Sequence, residues 1–155
     1  MKITLISVGN TQDNYIKEGI VLFENRLKHY IGFETICINA RIKKQTEIIQ
    51  KESEGRLILD ALEKVDFPVL LDVSGKQTDS AGFARFIQLG MNKGTRNLAF
   101  IIGGPYGFSA EVYSRVPERI SLSAMTFSHQ LIRLIFIEQL YRAFTIIRGE
   151  PYHHE

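Results

Sequence analysis

A chain of 155 residues is long enough for one domain with a sizeable core, and its composition, 45% hydrophobic and 23% charged, excludes a disordered tail and a membrane-embedded bundle alike. The apolar runs are broken by charge well short of a bilayer's width, and the single Cys37 cannot form an internal disulfide and suits a reducing cytosol. A net charge of +2 permits an anionic partner without requiring one. Lys2 opens a strand and no small-residue cleavage site follows an apolar run, so a cytoplasmic protein of one domain, residues 1–155, is expected.

In chain order, Ile3 to Val8 reads as a strand. Ile16, Ile20, Phe23, Leu27 and Tyr30 then recur at helical spacing behind the capping candidates Asn10 and Thr11. Phe33 to Ile38 is a second strand, followed by a basic loop with Arg41, Lys43 and Lys44, which can touch phosphate or simply be solvated. A helix from Thr46 to about Lys64 contains Gly55 as a weak point. Phe67 to Val73 is the third strand, emptying into a loop at Ser74-Gly75-Lys76, and Ser80 caps a helix that turns Phe83, Phe86 and Ile87 inward. The alternation of strand and helix predicts an α/β fold, a mostly parallel sheet with helices on both faces.

The fourth strand, Leu98 to Ile102, is continuously apolar, as expected where both faces of a parallel sheet are covered, and it runs straight into Gly103-Gly104-Pro105-Tyr106-Gly107. Three glycines in five residues allow positive φ and close approach of a ligand to the backbone, and Ser109 can cap the next helix. Ligands of parallel sheets sit beyond the carboxyl ends of the strands, so this turn is either a nucleotide-like site or merely a tight connection. A dinucleotide fingerprint fails because Ile102 occupies its first glycine position, and a P-loop fails because Gln77 stands where Ser or Thr belongs. Neither NAD nor ATP is expected.

A fifth strand, Arg119 to Ser123, leads to a helix from about Gln130 to Ile147 that is apolar over most of its circumference. Such a helix needs cover on more than one side: a homodimer is expected, the alternative being a central core helix of a monomer. The chain then ends in Arg148-Gly149-Glu150-Pro151-Tyr152-His153-His154-Glu155, a stiff turn followed by an aromatic, two imidazoles and a carboxylate. Adjacent histidines diverge and no other Cys, His or Asp spacing supplies further ligands, so no metal is expected.

Read together, Leu71-Asp72-Val73-Ser74-Gly75-Lys76, Ile102-Gly103-Gly104-Pro105-Tyr106-Gly107, Leu122-Ser123-Ala124-Met125-Thr126-Phe127, the segment His129 to Arg142 and the terminal Pro151-Tyr152-His153-His154-Glu155 resemble the bacterial RlmH family. The resemblance covers essentially the whole chain. It implies a SPOUT-type α/β fold with a C-terminal trefoil knot, a homodimer joined through the last helix, and transfer of a methyl group from S-adenosylmethionine to the ring N3 of a pseudouridine in large-subunit (23S) ribosomal RNA of assembled ribosomes. The cofactor positions fall on Leu71, Gly103, Leu122, Ser123, Ala124, Met125, Thr126 and Phe127. The tail is then expected to overhang the cofactor, with His153 orienting or acting as the base, Tyr152 stacking on the uracil and Arg142, with Arg133, meeting phosphate or a carboxylate. His129 is read as packing near a helix start. His154 stands where many relatives carry Arg or Lys, and Tyr106 where many carry an acid. The alternatives are a silent RNA-binding or ribosome-assembly protein and a SPOUT enzyme of another RNA.

Overall fold

The computed structural model describes residues 1–39 and 46–152. The basic loop at Arg41, Lys43 and Lys44 and the tail residues His153, His154 and Glu155 lie outside them. In chain order come β1 (Lys2–Val8), α1 (Asn14–Leu27), β2 (Gly32–Ile38), α2 (Glu47–Ala61), β3 (Phe67–Gln77), α3 (Ser80–Asn92), β4 (Asn97–Ile102), α4 (Ala110–Arg115), β5 (Arg119–Ser121) and α5 (Leu131–Arg148). The five strands form one sheet, ordered β2-β1-β4-β3-β5, with every pairing parallel.

Alternation along the central strands explains how both faces are filled. On β4, Leu98, Phe100 and Ile102 enter one core together with Leu27 of α1, Phe83 and Ile87 of α3, and Phe136, Ile137 and Leu140 of α5. Ala99 and Ile101 point the other way, against Ile58 of α2 and Val112 of α4. The rings of Phe83, Phe100 and Phe136 meet at centroid distances of 4.8 to 6.2 Å and anchor the first core, each buried ring stabilising the fold by about 1.5–3 kcal/mol.

The apolar girth of α5 has a reason within the chain, since the helix packs against α1, against α3 and on the sheet. Glycine makes the α1 contact possible: a Cβ on Gly19 would lie 2.9 Å from the Leu134 side chain. Arg133 is the buried exception. Its guanidinium donates to the Val8 carbonyl at 2.7 Å and to Thr11 Oγ1 at 2.9 Å, tying α5 to the end of β1, and burial pushes its pKa down. It meets main chain and a hydroxyl in place of the phosphate or carboxylate expected of it.

Several local expectations are corrected. The residue before α1 is Asp13, not Asn10 or Thr11, and its side chain makes no capping hydrogen bond; Gln130 Oε1 accepts from the backbone N–H of Gln12 and Asp13, just ahead of the helix. Asp79, not Ser80, caps α3 by accepting from Gly82 N at 2.6 Å, while Ser80 Oγ donates to Gln139 of α5. Ser109 caps α4 as expected. Gly55 is a close-packing position and not a weak point, since a Cβ there would lie 2.4 Å from Ser109 Oγ.

The largest correction concerns Ser74-Gly75-Lys76, which is not a loop. Ile120 of β5 pairs with both Leu71 and Lys76, so β3 continues to Gln77 with Asp72 to Gly75 bulging out between. A Cβ on Gly75 would stand 2.7 Å from the backbone of Arg119 and Ile120, so only glycine lets the two main chains pass this closely.

Candidate functional site

Beyond the carboxyl ends of β3, β4 and β5 the chain forms a cleft of about 380 Å³. Its walls are three segments that leave adjacent strands: the β3 bulge with Leu71, Asp72 and Val73, the turn from Ile102 to Phe108, and the loop from Ser121 to His129. Parallel strands that end together deliver their loops to one edge, and this is the physical origin of the site.

The glycine turn is held from behind. Gly107 N donates to Gly104 O at 3.1 Å, and of the three glycines Gly107 alone has positive φ, at 74°. A Cβ on Gly103 would press on Gly107 O and the Phe108 ring at 3.2 Å, and one on Gly104 would lie 2.4 Å from Glu54 Oε2. The expectation that all three glycines clear the way for a ligand is therefore corrected: two of them clear the way for the protein itself. Glu54, on α2, is buried, receives Gln50 Nε2 on one oxygen, and carries the other without a partner directly behind Gly104.

The second wall is built from short polar links. Ser121 Oγ donates to the Ser123 carbonyl, Ser123 Oγ accepts from Met125 N, and Ser128 Oγ accepts from Leu131 N at the entrance to α5. Met125 is left 71% exposed at the rim and Phe127 is partly exposed, giving an apolar edge that a planar ligand can cover. On the opposite side, Asp72 Oδ1 accepts from Ser74 N and Ser74 Oγ, and Oδ2 accepts from Tyr113 OH at 2.6 Å. Although burial raises its pKa, these hydrogen bonds and nearby Arg119 together hold the Asp72 carboxyl below the usual range, while burial and Asp72 push Tyr113 up to about 12.

Of the positions that the resemblance assigns to the cofactor, Leu71, Gly103, Leu122, Ser123, Met125, Thr126 and Phe127 line this cleft, and Ala124 does not. His129 and Asp72 line it too. His129, expected to pack at a helix start, lies on the cleft wall, where the entrance of α5 places it; no spacing in the sequence signals that position.

Tyr152 and Arg142 are elsewhere. Arg142 donates from Nε and Nη2 to Glu138 Oε1, at 3.2 and 2.6 Å, and its Cζ lies 4.9 Å from the Tyr152 ring. Tyr152 OH donates to the same Glu138 oxygen, and its ring meets Tyr141 edge-on at 4.8 Å. Tyr152 therefore does not line the cleft of its own chain. Ile132 of the cleft and Arg142 are ten residues apart on one straight helix, or about 15 Å. His153 lies outside the described residues.

Comparison with known proteins follows this geometry. The model of the family described as predicted SPOUT methyltransferase matches residues 1–153. The chain belongs to that family. It is 51% identical over 156 residues to a protein of Christiangramia forsetii and 52% identical over 157 residues to one of Parabacteroides distasonis, both named ribosomal RNA large subunit methyltransferase H. These alignments cover 99% of this chain and 99% of the first relative, and 100% of both chains for the second. The fold is also that of a probable methyltransferase from Bordetella pertussis Tohama I, at a TM-score of 0.60 and 12% identity over 92% of this chain and 96% of the other.

SPOUT methyltransferases use S-adenosylmethionine, and the cleft suits it in kind. Main-chain groups along the turn and loop can bind an adenine edge, apolar side chains can flank its faces, and among the described residues the lining offers a carboxylate and no Lys or Arg to a cationic sulfonium. Among the described residues, no group of three or more His, Cys, Asp or Glu is placed to hold a metal ion, and no helix is long and apolar enough to cross a membrane.

Proposed function

We propose that this protein is an S-adenosylmethionine-dependent methyltransferase that methylates the N3 atom of a pseudouridine in large-subunit (23S) ribosomal RNA, acting in the cytoplasm on assembled ribosomes. The observation that carries the reading is the coincidence of full-length identity near 50% to ribosomal RNA methyltransferases with a cleft lined by the family's cofactor segments. The match of the SPOUT family model over residues 1–153 supports the trefoil-knotted path of a SPOUT enzyme.

When bound, S-adenosylmethionine supplies an electrophilic methyl group on sulfur. The residues of this chain must then hold the acceptor nitrogen in line with it, at about 3 to 3.5 Å, and take up the weakly acidic imide proton. Two imidazoles are available for that proton: His129 on the cleft wall and His153 in the tail. Within one chain the tail begins at the far end of α5, so we infer a homodimer in which one subunit's tail, with Tyr152 and the Glu138-held Arg142, faces its partner's cleft. Tyr15, Val21 and Leu22, exposed by 66%, 54% and 49% on α1 beside α5, support the same second copy as a cover for that face.

The test is transfer of labelled methyl from S-adenosylmethionine to ribosomes lacking the modification, beside free large subunits, naked ribosomal RNA and tRNA. Label confined to assembled ribosomes and mapping to a pseudouridine is the expected result. Label on tRNA moves the enzyme to another RNA, and cofactor binding without any transfer leaves a silent binding protein.

A further inference from the structure

One charge in the cleft, that of Asp72, closes no ion pair among the described residues. Among the described residues, Asp72 is the only carboxylate that lines the cleft, and no Lys or Arg lines it. Its partners are neutral donors: a backbone N–H and a hydroxyl of Ser74 on one oxygen and the Tyr113 phenol on the other. Arg119 stacks on the Tyr113 ring, its Cζ 4.4 Å from the centroid, and helps keep Asp72 ionised without closing an ion pair on it. The ion pairs formed among the described residues, Lys2–Glu34 and Arg142–Glu138, leave Asp72 out. A second carboxylate, Glu54, lies behind the Gly104 backbone and does not reach the wall.

Neutral hydrogen bonds hold a carboxylate in place but leave its field intact, and a concave apolar wall concentrates that field in the space it encloses. The two ligands that alternate in a methyl-transfer site differ in one respect that such a field can read: the methyl donor is a sulfonium cation, and the spent product is an uncharged thioether. Both carry the same adenosine and amino-acid ends.

We propose that Asp72 is a specificity-determining residue which makes the cleft prefer the cationic sulfonium donor over its neutral thioether product, favouring product release after transfer. This rests on the cleft being the cofactor site. The adenine-binding main chain and the amino-acid end contribute alike to both ligands; the Asp72 charge distinguishes them through the sulfonium alone.

The experiment is calorimetric binding of S-adenosylmethionine and S-adenosylhomocysteine to the full chain and to its Asp72→Asn and Tyr113→Phe variants. In Asp72→Asn the preference for the sulfonium falls by about threefold to tenfold, the scale for one partly exposed charge, chiefly through weaker donor binding. Tyr113→Phe keeps the carboxylate and so keeps the preference, even where both affinities drop together. In the unaltered chain the preference narrows as salt rises from about 0.05 to about 0.5 M, because screening weakens the attraction to a cation and not to a neutral ligand. Equal weakening of both ligands in Asp72→Asn, or a preference indifferent to salt, overturns the assignment. A wild-type chain that binds neither ligand overturns the cofactor site itself.

Discussion

The two ends of α5 make different kinds of site. At its amino end the cleft is built from turns and loops stiffened by serine hydroxyls and by internal packing behind the glycines. At its carboxyl end, Glu138, Tyr141, Arg142 and Tyr152 form a cluster of charged and aromatic side chains. The first arrangement suits recognition of a ligand whose edges are polar and faces apolar; the second suits an anionic, stackable substrate such as RNA. A helix cannot bring its own ends together, and the proposed second copy would bring them to one reaction.

Removing one end is the harshest test of that division. Deleting Tyr152 to Glu155 is expected to lower methyl transfer by at least about a hundredfold, the lower range for a lost acid–base group, while donor affinity by calorimetry stays within about threefold. Unchanged turnover would mean that the carboxyl end of α5 takes no part in the chemistry.

Mixing subunits asks whether the two ends cooperate across the proposed dimer. Pairing the truncated chain with a Leu122→Arg chain, whose cleft is filled, should restore roughly a quarter of wild-type transfer, because half of the randomly mixed dimers then hold one complete site of two. If each tail served its own subunit's cleft, the mixture would be as inactive as its components.

The amino end can be loosened from behind. Gly104→Ala places a Cβ against Glu54 and should cost about 1–3 kcal/mol in urea unfolding, with weaker donor binding. Adding Glu54→Ala should return much of the loss, a coupling that two independent lesions would not show.

The smallest expected effect is alkaline. Tyr113 is raised from 10.0 to about 12, so the folded state favours its neutral phenol. Its contribution to stability is complete below about pH 10 and is lost as pH rises toward about 12. Tyr113→Phe should remove one late-ionising phenol from the ultraviolet titration and flatten that alkaline decline.

Much of this was legible in the residues. The apolar runs of β1, β3 and β4 announce strands covered on both sides, and the period of Ile16, Ile20, Phe23 and Leu27 announces the buried face of α1. The motifs at Leu71, Gly103 and Leu122 to Phe127 marked where the cleft is, with Ala124 alone falling outside its lining. Helix starts were less legible, because the groups that hold them can be distant in the chain: Gln130 binds the backbone just ahead of α1 from more than a hundred residues away. The continuation of β3 through Gly75 was hidden for the same reason, since its partner strand is contributed by distant Ile120.

The sequence by itself determined the alternation of strands and helices, the parallel sheet and the segments that gather at its carboxyl edge, because period and composition are local properties. The tertiary structure decided which side chains meet. It buried Arg133 under the end of β1, put Glu54 behind the glycine turn, turned Asp72 and His129 to the cleft and packed Tyr152 against Glu138. Those encounters depend on distances between residues far apart in the chain, and only a folded sheet with its helices in place fixes them.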